Sequence, residues 1–223
     1  MALGINYDSA GNSKSFLGFV KFNAKAGRIT RRDRDNGENT DVDITRSFKA
    51  VMDVENIEPG WMDFDTGGAP SMMLVHNTEA LPPKASDKHR KGFRIVMKLA
   101  KDCGGDVREM SSHAASFARG LDKLHDDYLA GRKDNAGKLP VVVLNEPTPI
   151  TTGEGAKRQT NYAPAFEIVG WVKRPDDLQY QPRTSQASAP AADEFDAPAK
   201  APPATGSTKV GSPAKVVDED DLG

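Results

Sequence analysis

The sequence predicts a mainly β fold: a small barrel with one amphipathic helix at its end, over residues 1–183, followed by a disordered tail over 184–223. Three observations predict it. Several short segments alternate apolar and polar residues with a period of two, the repeat of a half-buried strand. One stretch, 111–131, repeats its apolar residues at helical spacing instead. Beyond residue 183 large apolar residues are reduced to Phe195, Val210, Val216, Val217 and Leu222, too few to offset roughly 1–2 kcal/mol per residue of backbone ordering entropy.

The strands follow in order. "SFLGFVKFN", 15–23, reads as the first. "RSFKAVMDVENI", 46–57, puts Phe48, Ala50, Met52 and Val54 on one face, and "PSMMLVH", 70–76, is a short apolar strand. "GFRIVMKLA", 92–100, sends Phe93, Ile95, Met97 and Leu99 one way and Arg94, Val96 and Lys98 the other. "LPVVVLN", 139–145, is β-branched and reads as buried. "PAFEIVGWVKR", 164–174, directs Phe166, Ile168 and Val172 inward, and Glu167, Val169, Trp171 and Lys173 outward. In the helix, Phe117, Leu121, Leu124 and Tyr128 form one stripe, Ser111 or Ser112 can cap its start, and Gly131 suits its end. The Gly pairs at 67–68 and 104–105 are turn signals. Strands, one helix, then more strands describe a barrel plugged by a helix, of which the OB-fold is the commonest. A β-sandwich with an inserted helix reads similarly.

Composition narrows the function. The 223 residues suffice for one sizeable domain and a tail. No apolar run is long enough to span a bilayer, and "MALGINYDSAGNSKSF" lacks the pattern of a secretory signal. With Cys103 as the single cysteine, neither a disulfide framework nor a cysteine zinc cluster is expected. The simplest expectation is a cytoplasmic, non-enzymatic protein with no cofactor. There is no phosphate-binding loop, no H-E-x-x-H and no G-x-S-x-G. His113 and His125 stand twelve residues apart on the helix, and the three residues of "HDD", 125–127, point about 100° apart. No group that would activate Cys103 can be assigned.

Basic residues with nearby aromatics are the stronger signal. Between 84 and 101 lie Lys84, Lys88, Arg90, Lys91, Arg94, Lys98 and Lys101, with Asp87 the only carboxylate in the run up to residue 101. They lead into the strand whose outer face carries Arg94 and Lys98. A second cluster, "KAGRITRRDRD", 25–35, reads as a loop or hairpin holding Arg28, Arg31, Arg32 and Arg34, diluted by Asp33 and Asp35. A third, 153–164, offers Lys157, Arg158 and Tyr162. Trp61, in the loop-like "EPGWMDF", and Phe64 are further aromatics, and Trp171 shares a strand face with Lys173. Base–aromatic stacking is worth roughly 1–3 kcal/mol and tolerates any base, while phosphate neutralisation adds a salt-sensitive term. The expected groove is Arg94, Lys98, Trp171 and Lys173, flanked by the loops at 28–34 and 157–162. The competing expectation buries Trp171 under a helix and pairs the strand-face cations with carboxylates.

Net charge is −2 overall but is unevenly spread. From Thr184 onward three lysines face seven carboxylates, so the tail carries −4 and the body +2. The chain closes on "VVDEDDLG", with Asp218, Glu219, Asp220 and Asp221 beside Leu222. An acidic tip of this kind is a pattern of interaction tails. It can bind a basic partner or compete with nucleic acid for the body's own cations.

A compact β domain, an Ala/Pro/Ser-rich linker and a terminal acidic cluster together resemble the single-stranded DNA-binding proteins, particularly those encoded by bacteriophages. The resemblance covers the whole architecture. It implies an OB-fold body that coats single strands during replication, recombination or repair in a host cytoplasm. It also implies that Asp218–Leu222 recruit replication or recombination proteins or compete with DNA. RNA binding and a homodimer stay open. Family tips end on an aromatic residue after the acids, whereas Leu222 and Gly223 stand here, which favours a phage-specific partner or autoinhibition. Two other classes compete. One is a virion or assembly component whose tail is a docking peptide. The other, an enzyme acting on nucleic acid, needs Asp126 or Asp127 to converge with Glu109 or Asp106.

Overall fold

The computed structural model describes residues 17–35, 38–67, 69–152 and 154–183. The expected disordered tail, with Asp218, Glu219, Asp220, Asp221 and Leu222, lies outside the described residues. The strands are β1 (Gly18–Asn23), β2 (Arg28–Asp35), β3 (Glu38–Asp43), β4 (Lys49–Met52), β5 (Glu58–Asp63), β6 (Ser71–Leu74), β7 (Arg90–Leu99), β8 (Val107–Ser112), β9 (Lys138–Thr152) and β10 (Gln159–Lys173). The helix, α1, spans Ala115–Gly131. The described residues are thus mainly β with one α-helix, and no helix among them is long and apolar enough to cross a membrane.

All ten strands join one sheet in the order β10-β9-β4-β7-β8-β1-β2-β3, with β5 branching from β7 and carrying β6. The ladder does not close, which corrects the expected barrel. The terminal strands β10 and β3 are not paired among the described residues, and one backbone bond links β10 to the turn after β1, from Tyr162 N to Ala24 O, 2.6 Å. The helix α1 runs against β10. A Cβ on Gly120 would sit 2.4 Å from the carbonyl oxygen of Pro164, and one on Gly131 would sit 2.6 Å from the Trp171 ring. Only glycine permits this approach. Phe117 then fills the space between β1 and β10, with its ring 5.3 Å from Phe22 and 5.8 Å from Phe166, while stacking on Phe93.

The expected apolar faces are present. Phe48, Ala50, Met52 and Val54 are buried, as are Phe93, Ile95, Met97 and Leu99, and all pack with the α1 stripe Phe117, Leu121, Leu124 and Tyr128. The helix ends differ from expectation. Ser111 and Ser112 finish β8, and Ala114 holds the N-cap position, its N–H donating to Ser112 Oγ. Gly131 is the last helical residue and Arg132 follows in helical conformation; the glycine serves the Trp171 contact rather than a left-handed cap.

Two departures bear on function. β10 carries an irregularity between Ile168 and Gly170, where its register against β9 slips. An extra residue inverts the alternation beyond it. Trp171 therefore turns to the core and Val172 outward, the reverse of the simple pattern. The second departure is the segment 174–183, which crosses the opposite face of the sheet. Leu178 is fully buried against Val96 and Leu139, a contact worth about 1.5–3 kcal/mol. Arg174 clamps Asp53 through two bonds of 2.8 Å and reaches Glu55 as well, so its guanidinium is held above its ordinary pKa by the Asp53 hydrogen bonds first and by Glu55 after burial is offset.

Candidate nucleic-acid interface

The strap 174–183 lies on the face expected to bind. Arg94 is correspondingly buried, at 5% exposure, between Glu58 and Glu109. Its Nε donates to Glu109 Oε2 at 2.6 Å, and its Nη1 donates to Glu58 and to the Gln181 carbonyl. Burial alone would lower its pKa, but Glu109 and then Glu58 more than offset this and hold it raised. Lys98, half-buried, pairs with Asp177. These two residues are structural ties, not a phosphate-facing groove, which corrects the first expectation.

Trp171 is likewise withdrawn, packed 5.7 Å from Tyr128 of α1. Lys173 is exposed at the far end of β10, opposite Lys138. Trp61 sits on strand β5 rather than in a loop. It is half-buried, its Nε1 donates to the Pro82 carbonyl at 2.8 Å, and the Lys91 ammonium lies 5.8 Å from the ring centre. Lys88, Arg90 and Lys91 are exposed at the entry to β7. Tyr162 packs beside Gly27, Arg158 is exposed, and the side chain of Lys157 lies outside the described residues. Arg28 pairs with Asp43 at the opposite end of β2 from Arg34. The expected residues are therefore dispersed and do not form one groove.

Arg31 and Arg32 do meet at a site. The alternation of β1 places Val20 and Phe22 in the core and leaves Phe19 and Lys21 on the other face. Phe19 stands opposite Arg32 on β2 and beside Glu109 on β8. The β5–β6 hairpin contributes Phe64, Pro70 and Met72 to the same cleft, and Arg108, Ser111 and Arg183 also line it. Together they bound a cleft of about 850 Å³. Phe64 is paired with the His113 ring at 5.1 Å. The Ser111 hydroxyl has no hydrogen-bond partner among the described residues.

The cleft is positive. Lys21, Arg31, Arg32, Arg34, Arg108 and Arg183 line it against one lining carboxylate, Asp33. Counting the ion-pair partners just outside, Asp41, Asp106 and Glu109, six cations meet four carboxylates, leaving two in excess. Arg32 holds Asp41 through two bonds of 2.7 and 2.8 Å, which depresses the Asp41 carboxyl pKa. Lys21 and Arg34 make no ion pair among the described residues. Partial burial, and then the neighbouring Arg32, lower the pKa of Lys21; a phosphate arriving there would relieve part of that repulsion.

Sequence reasoning reached Arg31, Arg32, Arg34 and Phe64 but missed the outward positions of β1. Their signal was the same alternation that identified the strand. Arg183 carried no signal, because nothing local shows that the strap returns to the sheet. Of the carboxylates named for an enzymatic site, Glu109 pairs with Arg94 and Arg183, Asp106 with Arg108, and Asp127 with Lys123. No protein-family model, no curated protein and no solved structure matches the chain.

Proposed function

We propose that this chain is a non-enzymatic, sequence-tolerant single-stranded DNA-binding protein, acting in phage or mobile-element replication, recombination or repair within a bacterial cytoplasm. The observation that carries this reading is the cleft between β1–β2 and the β5–β6 hairpin, which joins two aromatic rings, Phe19 and Phe64, to an excess of cations. Rings stack on unpaired bases and cations neutralise phosphates. In this reading the open sheet with its packed helix is an opened relative of the OB-fold. Oligo-dT binding followed by fluorescence anisotropy, with duplex as competitor, tests it. The log–log salt slope is expected between about −1.4, for the two excess cations alone, and about −4, for all six. Phe64→Ala should weaken binding by about 1–3 kcal/mol with the slope unchanged. Binding that is absent, or that prefers duplex, would remove the proposal.

The acidic tip belongs to the same proposal. Its carboxylates compete with phosphates for the cleft and recruit replication or recombination proteins once displaced. Deleting Asp218–Gly223 should tighten single-strand binding at low salt and matter little at high salt, where exposed charges are screened beyond about 8 Å or less. Equal affinity of both chains at every salt concentration would defeat the competition and leave the cleft untouched.

A second reading is favoured by one observation: Arg94 and Lys98 are tied to carboxylates rather than free. It makes the body a virion or assembly scaffold whose tail docks a partner, and it is the reading that survives if oligo-dT does not bind.

A further inference from the structure

We propose that Arg183, the last described residue of the strap, is the fixed phosphate anchor of the cleft, and that the strap is thereby part of the nucleic-acid site. The proposal rests on the single-strand reading above. Arg183 lines the cleft, yet its own backbone is pinned: its N–H donates to Glu58 Oε1 at 3.0 Å. Its Nη1 donates to Glu109 Oε1 at 2.5 Å. Its other guanidinium donors, Nε and Nη2, make no hydrogen bond among the described residues, and the side chain is 26% exposed. A planar guanidinium held at Nη1 by a buried carboxylate can grip a phosphate along its Nε–Nη2 edge without releasing the first partner.

The cluster behind it explains why the anchor keeps its orientation. Glu58 and Glu109 are both buried, and Arg94 alone would leave one negative charge in excess. Arg183 supplies the second cation and brings the group to neutrality. It is therefore held in place before any ligand arrives, so little side-chain entropy remains to be lost on binding. Arg94, read from sequence as a phosphate contact, acts here through Glu109 as a positioning residue. Arg183, which shares Glu109 with it, makes the contact instead.

The test uses the full chain and oligo-dT over a salt series, with Arg183→Gln, Arg183→Lys and, as a separate cleft cation, Arg34→Gln. Arg183→Gln is expected to weaken low-salt binding about 5- to 10-fold and to make the log–log slope shallower by about 0.7, one phosphate contact. Arg183→Lys keeps the charge but not the two-edged geometry. It should restore the slope while recovering only part of the affinity. Arg34→Gln should also lose about 0.7 of slope. An unchanged slope in Arg183→Gln beside a reduced one in Arg34→Gln overturns the anchor and leaves the cleft standing. Unchanged slopes in both overturn the cleft reading itself. Should Arg183→Gln melt well below the parent, the lysine variant decides: a slope lost despite the retained charge means that Arg183 acts only as a structural tie.

Discussion

Arg94→Ala is expected to cost about 3–5 kcal/mol of folding stability, the usual penalty for removing one partner of a buried ion pair. The size follows from what it leaves behind. Glu58 and Glu109 are each less than 5% exposed, and both take their buried cation from Arg94. Without it, two carboxylates face each other under the strap with only Arg183 at the rim, and the Gln181 carbonyl loses a donor as well. Urea unfolding should show the midpoint falling by a large fraction of its value, since domains of this size are stable by only about 5–15 kcal/mol. Removing the charges together should be far milder. Arg94→Met combined with Glu58→Gln and Glu109→Gln is expected to recover most of the loss, because a buried ionic cluster contributes little net stability over neutral groups of similar volume. A single variant as stable as the parent would mean that the strap is not seated on these carboxylates, and Arg94 would then return as a candidate for the binding face.

How far the sequence could have led here depends on the type of signal. Where one face is apolar and the other is not, alternation found the strand and its inward residues: β4, β7 and the helix stripe are cases. It failed where polar residues are buried in pairs. β8, "VREMSS", places Arg108 and Glu109 inside through ion pairs with Asp33, Asp106, Arg94 and Arg183, so no apolar period shows. β3 is polar and exposed, with nothing to betray it. β5 carries Pro59 and Gly60 and reads as a loop, yet the glycine is required, because a Cβ there would sit 2.0 Å from the Met73 carbonyl oxygen. The site was misplaced for two non-local reasons. The irregularity at Ile168–Gly170 reverses Trp171, and the strap covers Arg94 and Lys98. Neither event leaves a mark in the local sequence. The cations of β2 were legible because they cluster; their aromatic companion Phe19 required knowing which face of β1 stays open.

Gly120→Ala brings two physical effects into direct opposition, and its sign is the informative quantity. In a helix interior alanine is worth about 1 kcal/mol more than glycine, so propensity alone predicts a gain. The packing predicts the reverse. The added Cβ would lie 2.4 Å from the Pro164 carbonyl oxygen and 2.6 Å from its Cγ. Neither atom is the free end of a flexible side chain, so α1 and β10 must separate. Overpacking of this kind costs about 1–3 kcal/mol, occasionally more, and the net expectation is a loss of roughly 1–2 kcal/mol after propensity is subtracted. Gly170→Ala is the control: nothing lies within 4 Å of its Cβ position, and it should stay within about 0.5 kcal/mol of the parent. Thermal unfolding gives the sign, and tryptophan emission gives the cause, because separating α1 from β10 uncovers Trp171 beside Gly131 and Tyr128 and should shift emission to the red. The helix backbone lies against Pro164, and Phe117 is wedged between Phe22 and Phe166, so any separation at Gly120 also loosens the contact of Phe117 with both rings. A Gly120→Ala chain more stable than the parent, with unshifted emission, would show that the helix has slack at β10 and that helix propensity outweighs the contact with Pro164.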